Sequence, residues 1–247
     1  MKKTLTLLLF TGLSIFVNAQ SILSGINKAL KKDSSKILAG LGNSSKSSLS
    51  NDDIISGLKE ALRVATDSST SILSKTDGYF GNAAIKLLMP EEAKKAERTL
   101  RNMGMSSLVD KAILSMNRAA EDAAAGVGQI FWNAIKQMSV TDGLKILKGG
   151  DFAATEYLKG TTTSVLIEKM RPVIESSLSK VNATNYWKDV FTAYNKFSRQ
   201  PVNTDLAAYV TGKALEGLFF NIGLEEQKIR KDPAAQVTDL LKKVFGK

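Results

Sequence analysis

From Ser50 to the C-terminus, helix-start signals follow one another, and no alternating run long enough to mark a strand interrupts them. Apolar residues recur at the i, i+3, i+4 spacing of an amphipathic helix, which restricts the chain to helix-on-helix packing. Ser50 followed by Asp53 resembles a capping box, with Asp in place of the preferred Glu or Gln, and Ile54, Ile55, Leu58, Leu62 and Ala65 lay an apolar stripe on the first long helix. Pro90-Glu91-Glu92 marks a second start, and that helix ends near Gly104. A third begins at Ser106 or Ser107, carries Leu108, Ala112, Ile113, Met116 and Ala120, and is expected to break or bend at Gly126 and Gly128 before an Ile130–Met138 segment. Thr141-Asp142-Gly143 opens a short helix that stops at Gly149-Gly150, and Asp151 is expected to cap the next. Further helices are predicted over 163–180, 185–197 and 204–231. Asp232-Pro233 restarts the chain for a last one, with Val237, Leu240, Leu241, Val244 and Phe245 on one face. The expected fold is an all-α domain of eight to ten helices over residues 49–247.

What precedes it is of a different kind. Met1-Lys2-Lys3, an apolar stretch from Leu5 to Val17 and Asn18-Ala19-Gln20 have the layout of a secretory signal peptide over residues 1–19, cleaved after Ala19. The apolar run is shorter than the roughly 20 residues that cross a bilayer. The expected destination is the periplasm or cell envelope. Residues 20–48 form a basic, Ser-rich leader and linker, in which Ile22, Leu23, Ile26 and Leu30 have helical spacing. A loosely packed arm is its default reading. Peripheral membrane contact through residues 22–32 is the alternative.

Composition removes whole classes of chemistry. The chain has no Cys and no His, which excludes disulfides, thiol catalysis, the Ser-His-Asp triad and His-bearing zinc sites. Any metal would need oxygen ligands, and no calcium-loop spacing is present. The formal charge of +10 suggests nucleic acid until it is divided along the chain. Lys2 and Lys3 belong to the signal peptide, and residues 21–50 hold five Lys against Asp33. The remaining excess of four is spread over nearly two hundred residues, a mixed-sign surface rather than a phosphate-tracking groove. No nucleic-acid partner and no cofactor are therefore expected. Ser177 and Lys180 have Ser-x-x-Lys spacing but lack its companion motifs.

Five ordered stretches carry a resemblance to a known family: Leu49–Leu62, Leu73–Asn82, Leu114–Glu121, Gly149–Thr155 and Asp232–Gly246. Together they resemble domain-of-unknown-function family 4197, exported bacterial proteins, over nearly the whole chain after the leader. The resemblance implies a helical exported domain. It implies no activity and supplies no catalytic residue.

One segment departs from the helical pattern. Thr76-Asp77-Gly78-Tyr79-Phe80-Gly81-Asn82 places two adjacent aromatics between glycines that permit a tight fold. Asp77 and Asn82 are candidates to hold a polar ligand against an apolar wall of Tyr79 and Phe80. The competing expectation is a turn capped by Asp77 with its aromatics plugging the core. On the third helix Asn117 falls roughly 40° from Ile113, inside the apolar stripe, so it must tie a neighbouring loop or face a cavity. Asn117, Arg118 and Glu121 complete the candidate ligand site, with Asn117 expected near Asp77 and Arg118 expected to pair with Asp122. Adjacent acids at Asp52/Asp53, Glu91/Glu92, Glu121/Asp122 and Glu225/Glu226 raise a carboxylate-dependent envelope hydrolase. Neighbours in sequence point in different directions on a helix, so dipole stabilisation is the plainer account. Tyr186, Trp187, Val190, Phe191, Tyr194 and Phe197 either pack a helix into the core or line a lipid pocket. The leading expectation is a non-catalytic helical module binding an unknown small molecule or protein. The hydrolase and the peripheral membrane protein are the alternatives.

Overall fold

The computed structural model describes residues 50–195 and 205–232, with 235, 236, 239, 242 and 244. All of them fall in the second of the chain's two units, Leu49–Lys247. Eight α-helices and no strand occur among the described residues. They are α1 (Asn51–Leu73), α2 (Lys94–Asn102, entered through a 3-10 turn at Glu91–Ala93), α3 (Ser106–Ala124), α4 (Gly128–Gln137), α5 (Val140–Lys148), α6 (Ala153–Lys180), α7 (Ala183–Asn195) and α8 (Leu206–Lys231). The signal-peptide and leader readings, and most of the helix expected after Asp232-Pro233, lie outside the described residues.

The local rules hold at most boundaries. Ser50 Oγ accepts the Asp53 amide at 3.1 Å while Asp53 Oδ2 accepts the Ser50 amide at 3.3 Å, the reciprocal cap expected for α1. α5 starts the same way, but on Ser139: its hydroxyl accepts the Asp142 amide, and Asp142 returns the bond. The Ser-x-x-Asp spacing is identical to that at Ser50, so the start lies two residues before the expected Thr141. Gly104, with φ +78°, lets the chain leave α2 in the left-handed region.

α6 is where the expectation fails. A helix capped by Asp151 and a separate one over 163–180 are in fact one helix of 28 residues. Thr161, Thr162 and Thr163, weak helix formers at the junction, turn their hydroxyls back to the carbonyls of Tyr157, Leu158 and Lys159 within the helix. Leu158, Thr162, Leu166, Met170, Ile174 and Leu178 form one buried stripe along the full length, and packing overrides weak propensity. Pro172 is tolerated on the exposed side. Asp151 does not cap α6; it accepts from Lys231 and Gln227. The N-cap position is Phe152, which has no side-chain oxygen.

The cap comes instead from α8. Glu226 Oε1 accepts the Ala154 amide at 3.0 Å, and Oε2 accepts the Thr155 amide at 2.8 Å and the Thr155 hydroxyl at 2.7 Å. Arg230, one turn on, donates Nε to the same carboxylate at 2.9 Å and Nη2 to the Ile146 carbonyl at the end of α5 at 3.0 Å. One buried ion pair thus ties the start of α6 and the end of α5 to α8.

The long helices α6 and α8 pack along each other, α3 lies on α6, and α1 crosses α8 with α4 and α5 against it. One continuous core runs through them, with Phe131 and Phe219 meeting edge to face at 6.0 Å. Gly143 marks the tightest approach: a Cβ there would stand 2.1 Å from Ile55 Cδ1 of α1.

Candidate functional site

The aromatic turn folds back on the end of α1. Asp77 takes φ +67°, and a Cβ on Gly78 would stand 2.6 Å from the carbonyl oxygens of Ile72 and Leu73, so position 78 admits only glycine without a shift. The next side chain, Tyr79, is thereby driven into the core, where it is fully buried. Its hydroxyl donates to the Ala214 carbonyl of α8 at 2.7 Å. Gly217, one turn on, makes room for the ring, since a Cβ there would lie 2.7 Å from Tyr79 Cε1. Burial pushes the Tyr79 phenol well above its ordinary pKa, with the Glu121 charge adding to the effect, and it stays a protonated donor.

α3 answers the turn with a carboxylate. Glu121 Oε1 accepts the Tyr79 and Phe80 amides, each at 3.1 Å, and Oε2 accepts Arg118 Nη1 at 2.6 Å. Arg118 Nη2 donates to Asp77 Oδ1 at 2.8 Å. The hydrogen bond to Glu121 is the main reason the guanidinium sits above its ordinary pKa, burial opposing and Asp77 assisting. Phe80, half-buried, carries Lys86 Nζ over its face at 3.7 Å and Arg118 Cζ at 5.8 Å.

Five of the seven predicted residues therefore meet: Asp77, Tyr79, Phe80, Arg118 and Glu121. The other two serve the chain beyond the turn. Asn82 Oδ1 accepts the Ala84 amide at 3.1 Å. Asn117, fully buried, accepts the Leu87 amide at 2.9 Å and donates to the Leu87 and Ile113 carbonyls at 2.9 and 2.8 Å. Of the two fates open to a buried amide, Asn117 takes the first and ties a loop. The residue that reaches Asp77 is Arg118, not Asn117. Nor does Arg118 pair with Asp122, which accepts the Ser177 hydroxyl at 2.6 Å instead. Two of the sequence acid pairs split apart: Glu121 binds the turn while Asp122 takes Ser177, and Glu225 faces Lys228 while Glu226 caps α6. Ser177 is likewise engaged by Asp122, whatever its spacing to Lys180.

Arg118 also borders something the turn alone does not disclose. An apolar pocket of about 490 Å³ lies between α3, the end of α6, α7 and the start of α8. Leu108, Met116, Trp187, Phe191 and Leu206 wall it, with the Trp187 and Phe191 rings 4.4 Å apart. Lys111, Arg118 and Lys180 stand along it, together with the Asp122–Ser177 pair. The sequence carries half the signal for this pocket in the aromatic run of α7, of which Trp187 and Phe191 are buried. The other half is on α3, where Leu108, Ala112 and Ala119 form a second apolar row beside the core stripe of Val109, Ile113, Met116 and Ala120. An apolar arc that wide exceeds what one packing partner covers.

Among the described residues no three side chains of metal-ligating type converge, and no helix is long and apolar enough to cross a membrane. The sequence matches a family described as protein of unknown function, DUF4197, over residues 48–246. No curated protein and no solved structure matches the chain.

Proposed function

The chain belongs to the DUF4197 family, and from that premise we propose that it is an exported, non-catalytic helical module that holds a small apolar ligand. The pocket between α3, α6, α7 and α8 carries the reading. At about 490 Å³ it falls in the roughly 300–1,000 Å³ range of small-molecule sites, and its walls are apolar and aromatic. The aromatic turn has a supporting part. The Tyr79 and Phe80 amides, the Tyr79 hydroxyl and Asp77 all find partners within the protein, and through Glu121 and Arg118 the turn fixes α3, the longest wall of the pocket.

The acid pairs favour binding over hydrolysis. Glycoside hydrolysis needs two carboxylates flanking one bond, whereas Glu121 and Glu226 are buried under amide and guanidinium donors, away from their sequence neighbours. Export rests on the layout of residues 1–19, and intact mass of the secreted chain checks it: the mature protein should begin at Gln20. Nile red titration of the purified full chain tests the binding. Saturable one-to-one emission, abolished in an Ala112→Trp variant that fills the pocket, is the expected result. Binding that survives Ala112→Trp in a folded variant would remove the pocket from the function.

A further inference from the structure

The pocket has an electrostatic asymmetry that its apolar walls do not explain. Lys111 on α3 and Lys180 at the end of α6 both stand along it, both are exposed, and neither forms an ion pair among the described residues. Arg118 is already committed to Glu121 and Asp77, and Asp122, the one acid along the pocket among the described residues, is held by Ser177. Among the described residues, what remains available at the edge is cationic.

Its lining runs far along α3. The lining follows α3 from Leu108 to Asp122, about 21 Å of helix axis, and 490 Å³ spread over that length admits one hydrocarbon chain rather than two. Resting on the binding reading above, we infer that the ligand is a single-chain amphiphile with a carboxylate head: the chain lies against Trp187 and Phe191 and the head meets Lys111 or Lys180. Hydrocarbon in the apolar bore releases ordered water. The carboxylate at the edge gains charge-assisted hydrogen bonds without burying an unpaired charge. The basic leader of this same chain is a poor occupant, because residues 21–50 carry five Lys against one Asp and would bring like charge to that edge.

Three probes sharing one chain and differing in head group test this: dodecanoate, 1-dodecanol and dodecyltrimethylammonium, each kept below its micellar concentration. Binding is read from Trp187 emission in the full chain carrying Trp132→Phe, which leaves one tryptophan, and from native mass spectrometry of the unsubstituted chain. Dodecanoate should bind one to one and at least tenfold more tightly than dodecanol, with the ammonium weakest. The exposed-site double variant Lys111→Glu plus Lys180→Glu should invert the order of the two charged probes and leave dodecanol unchanged. Equal affinity for all three heads, or preference for the ammonium, would overturn the carboxylate assignment while the apolar pocket stands. Failure of all three to bind would overturn both. Association with anionic vesicles but not with monomeric dodecanoate would also overturn it, assigning the lysines to a membrane surface.

Discussion

Two glutamates in this molecule do the same thing in different surroundings. Glu121 on α3 and Glu226 on α8 each accept two consecutive backbone amides from a distant element and each share the carboxylate with an Arg one turn away on their own helix. At Glu226 both partners are sealed, the Arg230 side chain being 13% exposed, and Arg230 also satisfies the end of α5. At Glu121 the carboxylate is sealed, but Arg118 is 37% exposed and shared with a surface aspartate. The sealed version fixes three helices to one another. The open version fixes a turn and places its arginine beside a pocket. Identical chemistry gives a structural lock in one place and the border of an apolar pocket in the other, and solvent access to the arginine makes the difference.

That contrast can be broken by experiment. Glu226→Ala should cost the most, about 3–5 kcal/mol in urea unfolding, because it strands a buried guanidinium and two buried amides. Glu121→Ala should cost about 2–3 kcal/mol, since Arg118 keeps Asp77 and reaches water. Equal costs would show that exposure of the arginine does not distinguish the two sites. Arg230→Met sharpens the point at about 2–3 kcal/mol, against less than about 1 kcal/mol for Arg118→Met, which removes a part-exposed guanidinium and leaves the Glu121 carboxylate its two amide donors.

Gly217→Ala probes the turn from the α8 side. Its Cβ would overlap the Tyr79 ring, and a loss of about 1–3 kcal/mol in thermal or urea unfolding is expected, with no counterpart at the Glu226 lock. Tyr79→Phe also has a small effect at neutral pH, about 1 kcal/mol for the bond to Ala214. Its signature lies in alkali. The folded phenol has a pKa above the ordinary value of 10.0, so the unfolded chain loses its proton first. Stability linked to Tyr79 is therefore fully present below pH 10 and falls as pH rises beyond it, by up to about 1.4 kcal/mol per unit. Urea midpoints measured from pH 9 to 11 should fall less steeply for Tyr79→Phe than for the unsubstituted chain. Parallel curves would mean that the phenol is not buried in the folded protein.

How much was legible in the residues follows from the range of each interaction. Caps within one turn, as at Ser50 and Asp53, are written in three-residue spacings, and so is the cap at Ser139, where Thr141-Asp142-Gly143 offers a competing start signal two residues on. The turn residues Asp77, Tyr79 and Phe80 stand out because glycine and aromatic spacing is local. Their partners Arg118 and Glu121 were singled out as a helix motif, but their bonds to the turn span about forty residues of chain and follow from packing alone. For the same reason Asp151 looked like the cap of α6: it occupies the right local position, while Glu226 is more than seventy residues away. The continuity of α6 was hidden by three successive threonines, which are poor helix formers until the buried stripe beneath them is in place. The pocket was hidden because an aromatic run has the same spacing whether it meets side chains or a void.

The distance between Glu226 and the amides it caps has a kinetic consequence. Helix α6 can nucleate from its own sequence, but its first turn gains an acceptor only when α8 has been synthesised and docked, across a separation of 71 and 72 residues. Closing so long a loop belongs to the end of folding, after most local structure is present. The lock is then absent from the transition state. Weakening it with Glu226→Gln should leave the folding limb of a chevron nearly flat against the unsubstituted chain and raise the unfolding limb. The ion pair would thus set how long the folded chain persists rather than how fast it forms.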